Sequence, residues 1–144
     1  MYEFLGFLAE DVMSEPVGIA PGTRLCEVEK ILEERSFDML PVVSGDGELL
    51  GVVSSLDVLG AFRFGDESIL PDYDAIMQCP VERIMTPIPL TTTPRARLTT
   101  VLEKLVTTRS KSLPVVEDGR VVGVVARQDV MRALRRADAG EKPG

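Results

Sequence analysis

The chain of 144 residues has no histidine and no tryptophan, and only two cysteines, Cys26 and Cys79. Without histidine there is no imidazole general base, no Ser-His-Asp relay and no His-based zinc site. The cysteines lie far apart without CxxC spacing, which argues against a thiolate metal clip and for reduced thiols in a cytoplasmic protein. Aromatic residues make up 5% of the chain, so its core has to be aliphatic. Basic residues are in the minority, 16 Lys and Arg against 23 Asp and Glu, for a net charge of −7. The one basic cluster, Arg127, Arg132, Arg135 and Arg136, reads as the end of a helix, where cations complement the dipole. A duplex-binding face needs clustered cations that displace counterions, so nucleic acid is disfavoured as a partner. No stretch approaches the ~18 apolar residues of a membrane span. Residues 1–9 carry Glu3 and no basic region, unlike a signal peptide. There is no GxxxxGK[ST] phosphate loop and no serine near a base, so an enzyme is not expected and no metal or required cofactor is implied.

What the sequence does contain is a repeat. Leu40-Pro41-Val42-Val43 returns 73 residues later as Leu113-Pro114-Val115-Val116. Gly51-Val52-Val53 and Asp57-Val58 return after 72 as Gly123-Val124-Val125 and Asp129-Val130, so one hairpin loop is a residue shorter. Leu25, Val28 and Leu32 match Leu98, Val101 and Leu105, and Val12-Met13-Ser14 matches Ile84-Met85-Thr86. With 44% hydrophobic residues, two such copies can bury a core as one compact domain or two small ones.

Each copy reads as β-α-β-β-α. A short extended piece, about 17–20 or 90–93, ends at Pro21-Gly22 or Pro94. Thr23 or Ala96 leads into a helix with apolar residues at i, i+3 and i+7. The Leu-Pro-Val-Val strand follows, its proline suited to a strand start. Asp46-Gly47 or Asp118-Gly119 then turns the chain into a return strand, 49–54 or 121–126, and a second helix, about 56–63 or 128–137. The expected organisation is an N-terminal helix plus repeat 1 over 1–64, an acidic connector over 65–80 with Asp66, Glu67, Asp72 and Asp74, repeat 2 over 81–137, and a frayed polar tail over 138–144. Residues 2–12 read as an amphipathic helix with Phe4, Leu5 and Leu8 on one face.

The paired Met-Ser/Thr, Leu-Pro-Val-Val, Gly-Val-Val and helix-opening Asp resemble the CBS-domain pattern, here as a free-standing tandem pair of the kind called a Bateman module. The resemblance covers about 12–62 and 84–134. It implies an α/β (α+β) fold of two repeats related by a pseudo-two-fold axis, with two clefts that bind AMP, ADP, ATP or S-adenosylmethionine. It further implies a regulatory module that forms a homodimer and signals to an unknown effector protein.

The family's ribose signature is Ser/Thr-x-x-Asp ahead of a helix. A carboxylate there accepts from the ribose hydroxyls, while the helix start and the preceding hydroxyl face phosphate. Repeat 1 has Ser54-Ser55-Leu56-Asp57; repeat 2 has Ala126-Arg127-Gln128-Asp129, which keeps the Asp and loses the hydroxyl. The same spacing also describes a helix N-cap, and both readings stay open. The resemblance assigns Ser54 and Asp57 to one cleft with Thr91, Thr92, Lys111 and Ser112, and Asp129 and Arg127 to the other with Gly18, Ile19 and Asp38. Met39, Pro41, Ser112 and Pro114 would wall the adenine. The first set has more hydroxyls and a cation, so it is the expected stronger site. Lys111 also fits a solvated turn lysine, and Thr91 to Thr93 fit a strand end before Pro94. The alternative is a ligand-independent dimerisation or protein-interaction module. Leu59, Phe62, Met131 and Leu134 on the second helices are the candidate dimer contact.

Overall fold

A computed structural model describes residues 1–63, 72–87 and 89–144. In chain order its helices are α1 (Ala9–Val12), α2 (Leu25–Arg35), α3 (Ser55–Gly60), α4 (Tyr73–Met77), α5 (Leu98–Thr108) and α6 (Arg127–Asp138). The strands are β1 (Met39–Val43), β2 (Leu49–Ser54), β3 (Ser112–Glu117) and β4 (Arg120–Ala126). Two compact units result. One is Val17–Pro89, built on repeat 1; the other joins Met1–Pro16 to Leu90–Gly144, built on repeat 2.

In the repeat-1 unit, β1 and β2 form an antiparallel hairpin, with Leu40 opposite Val53 and Val42 opposite Gly51. Leu40, Val42 and Val53 are fully buried, as strand alternation requires of one packed face. They meet Leu25, Val28 and Leu32 from one side of α2 in a single aliphatic core. The extended piece before α2 contracts to one parallel bridge, Ile19 with Val42. Gly47, with φ of 85°, takes the left-handed turn position that glycine occupies without strain. The described part of the expected connector contributes structure: α4 buries Met77 in this core. Asp66 and Glu67 lie outside the described residues.

The repeat-2 unit follows the same plan. β3 and β4 pair with Leu113 opposite Val125 and Val115 opposite Gly123, and the register slips at the same place as in the first hairpin. Thr92 bridges Val115 as Ile19 bridges Val42. Leu98, Val101 and Leu105 of α5 pack on Val130, Ala133 and Ala137 of α6. The matching helices α2 and α5 each end in a left-handed residue, Ser36 (φ 53°) and Arg109 (φ 57°), with the next amide, of Phe37 or Ser110, bonded back to Leu32 or Leu105.

Each hairpin is completed by the segment that precedes the other repeat in sequence. Ser14 pairs with Val124 through two backbone hydrogen bonds of 2.9 and 3.0 Å, and Thr86 pairs with Val52 through bonds of 2.8 and 3.0 Å. The same segments supply carbonyls to the helix starts. Leu98 N–H donates to Phe7 O and Leu25 N–H donates to Cys79 O, satisfying amides that a helix leaves orphaned.

The N-terminal residues differ from the expected single helix. A 3-10 turn over Tyr2–Gly6 and the short α1 are separated by extended backbone at Phe7 and Leu8. The cause is the pairing just described: Phe7 gives its carbonyl to α5, and Leu8 bridges Arg97. Phe7 is therefore fully buried, while Leu5 is 58% exposed. The chain end folds back, with Glu141 N–H donating to Arg136 O and the Arg136 guanidinium 5.2 Å from the Phe7 ring centre. No helix among the described residues is long and apolar enough to cross a membrane.

Candidate functional site

The two signature aspartates occupy equivalent places, each at the third position of a helix that leaves a hairpin strand directly. In the repeat-1 unit, Asp57 Oδ2 accepts from Ser54 N–H at 2.9 Å and from Ser54 Oγ at 3.1 Å, while Asp57 N–H donates to Ser54 Oγ at 3.3 Å. This is a reciprocal capping box. Both bonds to the carboxylate use Oδ2, and Oδ1 has no hydrogen-bond partner among the described residues. Ser54 and Asp57 are half-buried.

In the repeat-2 unit, Asp129 Oδ2 accepts from Ala126 N–H at 2.8 Å. Ala126 has no acceptor to return, so only half of the box forms. The second oxygen, Oδ1, is held by Arg132 Nη1 at 3.3 Å. The position equivalent to Arg132 in repeat 1 is Gly60. Capping therefore accounts for one oxygen of each aspartate, and the two differ in what becomes of the other.

The remaining candidates fall into each unit as follows. In the repeat-1 unit, Met39 is half-buried opposite Ser54, Pro41 is buried, Gly18 is exposed and Ile19 belongs to the core. A Cβ on Gly18 would come within 2.8 Å of Val43. In the repeat-2 unit, Ser112 is half-buried opposite Ala126, Pro114 is buried, and Lys111 is exposed. The half-buried Thr91 uses its carbonyl to accept from Lys104 Nζ at 2.9 Å. Thr92 is 3% exposed, and its hydroxyl has no hydrogen-bond partner among the described residues. Arg127 donates from Nε to Ser110 O at 2.8 Å and from Nη2 to Arg109 O at 2.9 Å. Its charge thus closes the carboxyl end of α5.

Sequence reasoning missed Arg132 as the partner of Asp129 and Lys104 as the partner of Thr91. An Asp followed three residues later by Arg on a helix was the available signal for the first. Nothing local signals the second, because Lys104 and Thr91 meet only once α5 has packed beside the extended piece.

Two helix-backed hairpins, each running into an aspartate-capped helix and completed by the segment that precedes the other repeat, define the class. The sequence pattern of the CBS domain matches the chain twice, over residues 9–63 and 81–136, and the protein belongs to the CBS domain family. A homoserine O-acetyltransferase of Methanohalobium evestigatum is 28% identical over 126 residues, 86% of this chain and 23% of that protein. The chloroplastic CBS domain-containing protein CBSX2 of Arabidopsis thaliana is 28% identical over 135 residues, 80% of this chain and 57% of that one. The chain therefore spans little more than half the length of one of these relatives and under a quarter of the other. The crystal structure of CBSX2 in complex with AMP superposes with a TM-score of 0.79 at 28% identity, covering 92% of this chain and 99% of that one. The CBS domain pair of protein MJ0100, in complex with 5′-methylthioadenosine and S-adenosyl-L-methionine, gives a TM-score of 0.75 at 27% identity, covering 91% and 98%.

Proposed function

We propose that this chain is a regulatory, ligand-sensing module that binds an adenosine-containing molecule, with Asp57 as the ribose acceptor. The observation that carries this reading is the Oδ1 of Asp57, without a hydrogen-bond partner among the described residues, on a half-buried carboxylate whose other oxygen is fixed by Ser54. A carboxylate positioned in this way can accept from a vicinal diol without first breaking a bond of its own. The ligands of the related structures support the class. AMP, 5′-methylthioadenosine and S-adenosyl-L-methionine share adenine and a ribose diol and differ at the 5′ substituent. The wider contact set implied by the resemblance, including Met39, Pro41, Thr91, Lys111, Ser112 and Pro114, belongs to the same proposal. So does a homodimer in the cytoplasm that catalyses nothing itself and reports ligand occupancy to an effector protein. Signalling then requires the ligand to bind one arrangement of the module more tightly than another.

Thermal unfolding in the presence of AMP, ADP, ATP, 5′-methylthioadenosine and S-adenosylmethionine tests the proposal. A ligand present at a hundred times its dissociation constant stabilises the native state by about 2.7 kcal/mol, a readily measured rise in Tm. Absence of a shift with every adenine compound would favour the second reading, a ligand-independent interaction module. That reading draws on the fact that both aspartates already cap helices.

A further inference from the structure

We propose that Cys26 and Cys79 form a thiol-oxidation site, at which a low-molecular-mass disulfide such as oxidised glutathione closes a reversible intramolecular disulfide. They are the only cysteines of the chain and lie 53 residues apart in sequence. The fold brings their backbones together. Leu25 N–H donates to Cys79 O at 3.0 Å, and Val81 N–H donates to Thr23 O at 2.7 Å. The start of α2 and the segment after α4 therefore run antiparallel about the bridge of Arg24 with Pro80. Leu25 and Cys79 face each other in that ladder, where Cα atoms stand ~5.5 Å apart. A disulfide joins Cα atoms ~4.4–6.8 Å apart, and Cys26, in the first turn of α2, is one residue beyond a position already inside that window. Both cysteines are free thiols, half-buried against the same aliphatic core and open on one side to a small reagent. The Cys79 thiol makes one weak hydrogen bond, donating to Ala75 O at 3.5 Å.

The matching joint of the repeat-2 unit shows that thiols are not needed to build it. There Leu98 N–H donates to Phe7 O and Ala9 N–H donates to Ala96 O, both at 2.9 Å. Phe7 and Thr99 stand at the positions of Cys79 and Cys26. The same backbone ladder thus forms around a phenylalanine and a threonine, so the architecture does not demand two cysteines at the repeat-1 joint.

The exchange balances without any group beyond the small disulfide. One protein thiolate attacks it, forming a mixed disulfide and releasing one small thiolate. The other protein thiolate then attacks the protein sulfur of that mixed disulfide and releases the second. Two protein thiols lose two electrons and two protons, and the small disulfide takes them up as two thiols. A reducing compartment keeps such a site open, and an oxidising one closes it. The ladder at Arg24 and Pro80 anchors the segment that runs on through Met85 to Thr86, which completes the β1–β2 hairpin at Val52. A covalent bond there closes a loop that contains both strands and Asp57, and closing a long loop removes much disorder from the unfolded chain. Oxidation therefore stabilises the Val17–Pro89 unit, and reduction reverses the gain.

Intact mass and thermal unfolding of the full chain, after incubation with oxidised glutathione and again after dithiothreitol, test the proposal. The oxidised wild type should be lighter by two hydrogens, carry no glutathione, and yield one Cys26–Cys79 cross-linked peptide on non-reducing digestion. Its Tm should rise by at least about 5 °C and fall back on reduction. Cys26→Ser and Cys79→Ser should each retain a single glutathione adduct and show no such rise, while the wild-type comparison itself needs no substitution. Two glutathione adducts on one chain, cross-links only between chains, or thiols that stay unreacted until the protein unfolds would each overturn the site. An intramolecular disulfide that leaves Tm unchanged would overturn its stabilising role. None of these readouts uses an adenosine compound, so they are independent of the ribose-acceptor reading of Asp57.

Discussion

The sulfur of Met13 lies where a side chain on Gly123 would have to go: a Cβ built there comes within 2.5 Å of Met13 Sδ. Gly51 and Met85 repeat the relationship, with Sδ at 2.9 Å and the backbone oxygen of Thr86 at 2.6 Å. The Gly of Gly-Val-Val and the Met of Met-Ser/Thr are thus two halves of one joint, each methionine seated on the glycine of the hairpin its segment completes. Alanine at either glycine should lower the denaturation midpoint, by about 1–3 kcal/mol in stability. Gly51→Ala should be the worse of the two. Its nearest obstacle is a carbonyl that also accepts from Val52 N–H, whereas Met13 can turn part of its side chain away. Equal stability of Gly51→Ala and wild type in urea would dismiss the joint.

Thr92 holds in repeat 2 the strand position that core residue Ile19 holds in repeat 1. Its hydroxyl is buried without a partner among the described residues, a desolvation cost with nothing set against it. Thr92→Val keeps the branched shape and removes the unpaired group, so the ligand-free protein should gain about 1 kcal/mol. If Thr92→Val instead destabilises the ligand-free chain, the hydroxyl has a partner and this account of it fails.

Arg127 was a ligand candidate on sequence, yet its two hydrogen bonds go to carbonyls at the end of α5. A cation there also meets the negative end of the helix dipole. Arg127→Ala should cost about 1 kcal/mol, since the side chain is exposed and partly screened. Arg127→Lys should recover only part of that, because an ammonium cannot reproduce the two-pronged contact. Chemical denaturation of the three proteins in parallel measures the difference; identical midpoints would mean that the clamp contributes nothing.

The hairpins, the long helices and their buried faces were legible because period and repeat agree there: Leu25, Val28 and Leu32 face the core as their spacing requires. The exchange of the segments before each repeat was not legible. Val12-Met13-Ser14 precedes repeat 1 and matches Ile84-Met85-Thr86, but nothing local shows that it closes the hairpin of repeat 2. That fact rests on non-local bonds such as Ser14 to Val124. The N-terminal residues misled for the same reason. Phe7 breaks the helical spacing because a distant helix start needs its carbonyl. At the aspartates, sequence located both residues and the capping geometry of Asp57, but not that of Asp129, whose carboxylate accepts from Ala126 N–H without a capping hydroxyl. The contrast between an oxygen without a partner among the described residues and an ion-paired one depended on Arg132 standing where repeat 1 has Gly60.

That contrast gives the two aspartates different fates under mutation. Asp57→Asn keeps an oxygen to accept from Ser54 N–H, so the helix cap should survive. It removes the charge that would accept from ribose, and hydrogen bonds to charged groups contribute roughly 1.5–3 kcal/mol. AMP, or whichever adenosine compound raises the Tm most, should therefore bind on the order of 10–100-fold more weakly. Asp129→Asn should change affinity far less, because Arg132 already occupies its second oxygen. Arg132 is 61% exposed, so its pair with Asp129 is worth under about 1 kcal/mol. Arg132→Ala should accordingly reveal at most a weak second binding event, with little change in stability. Calorimetric titration of the four proteins reads stoichiometry and affinity together. Equal affinity at two sites in the wild type, or a loss confined to Asp129→Asn, would reverse the assignment of Asp57 as the ribose acceptor.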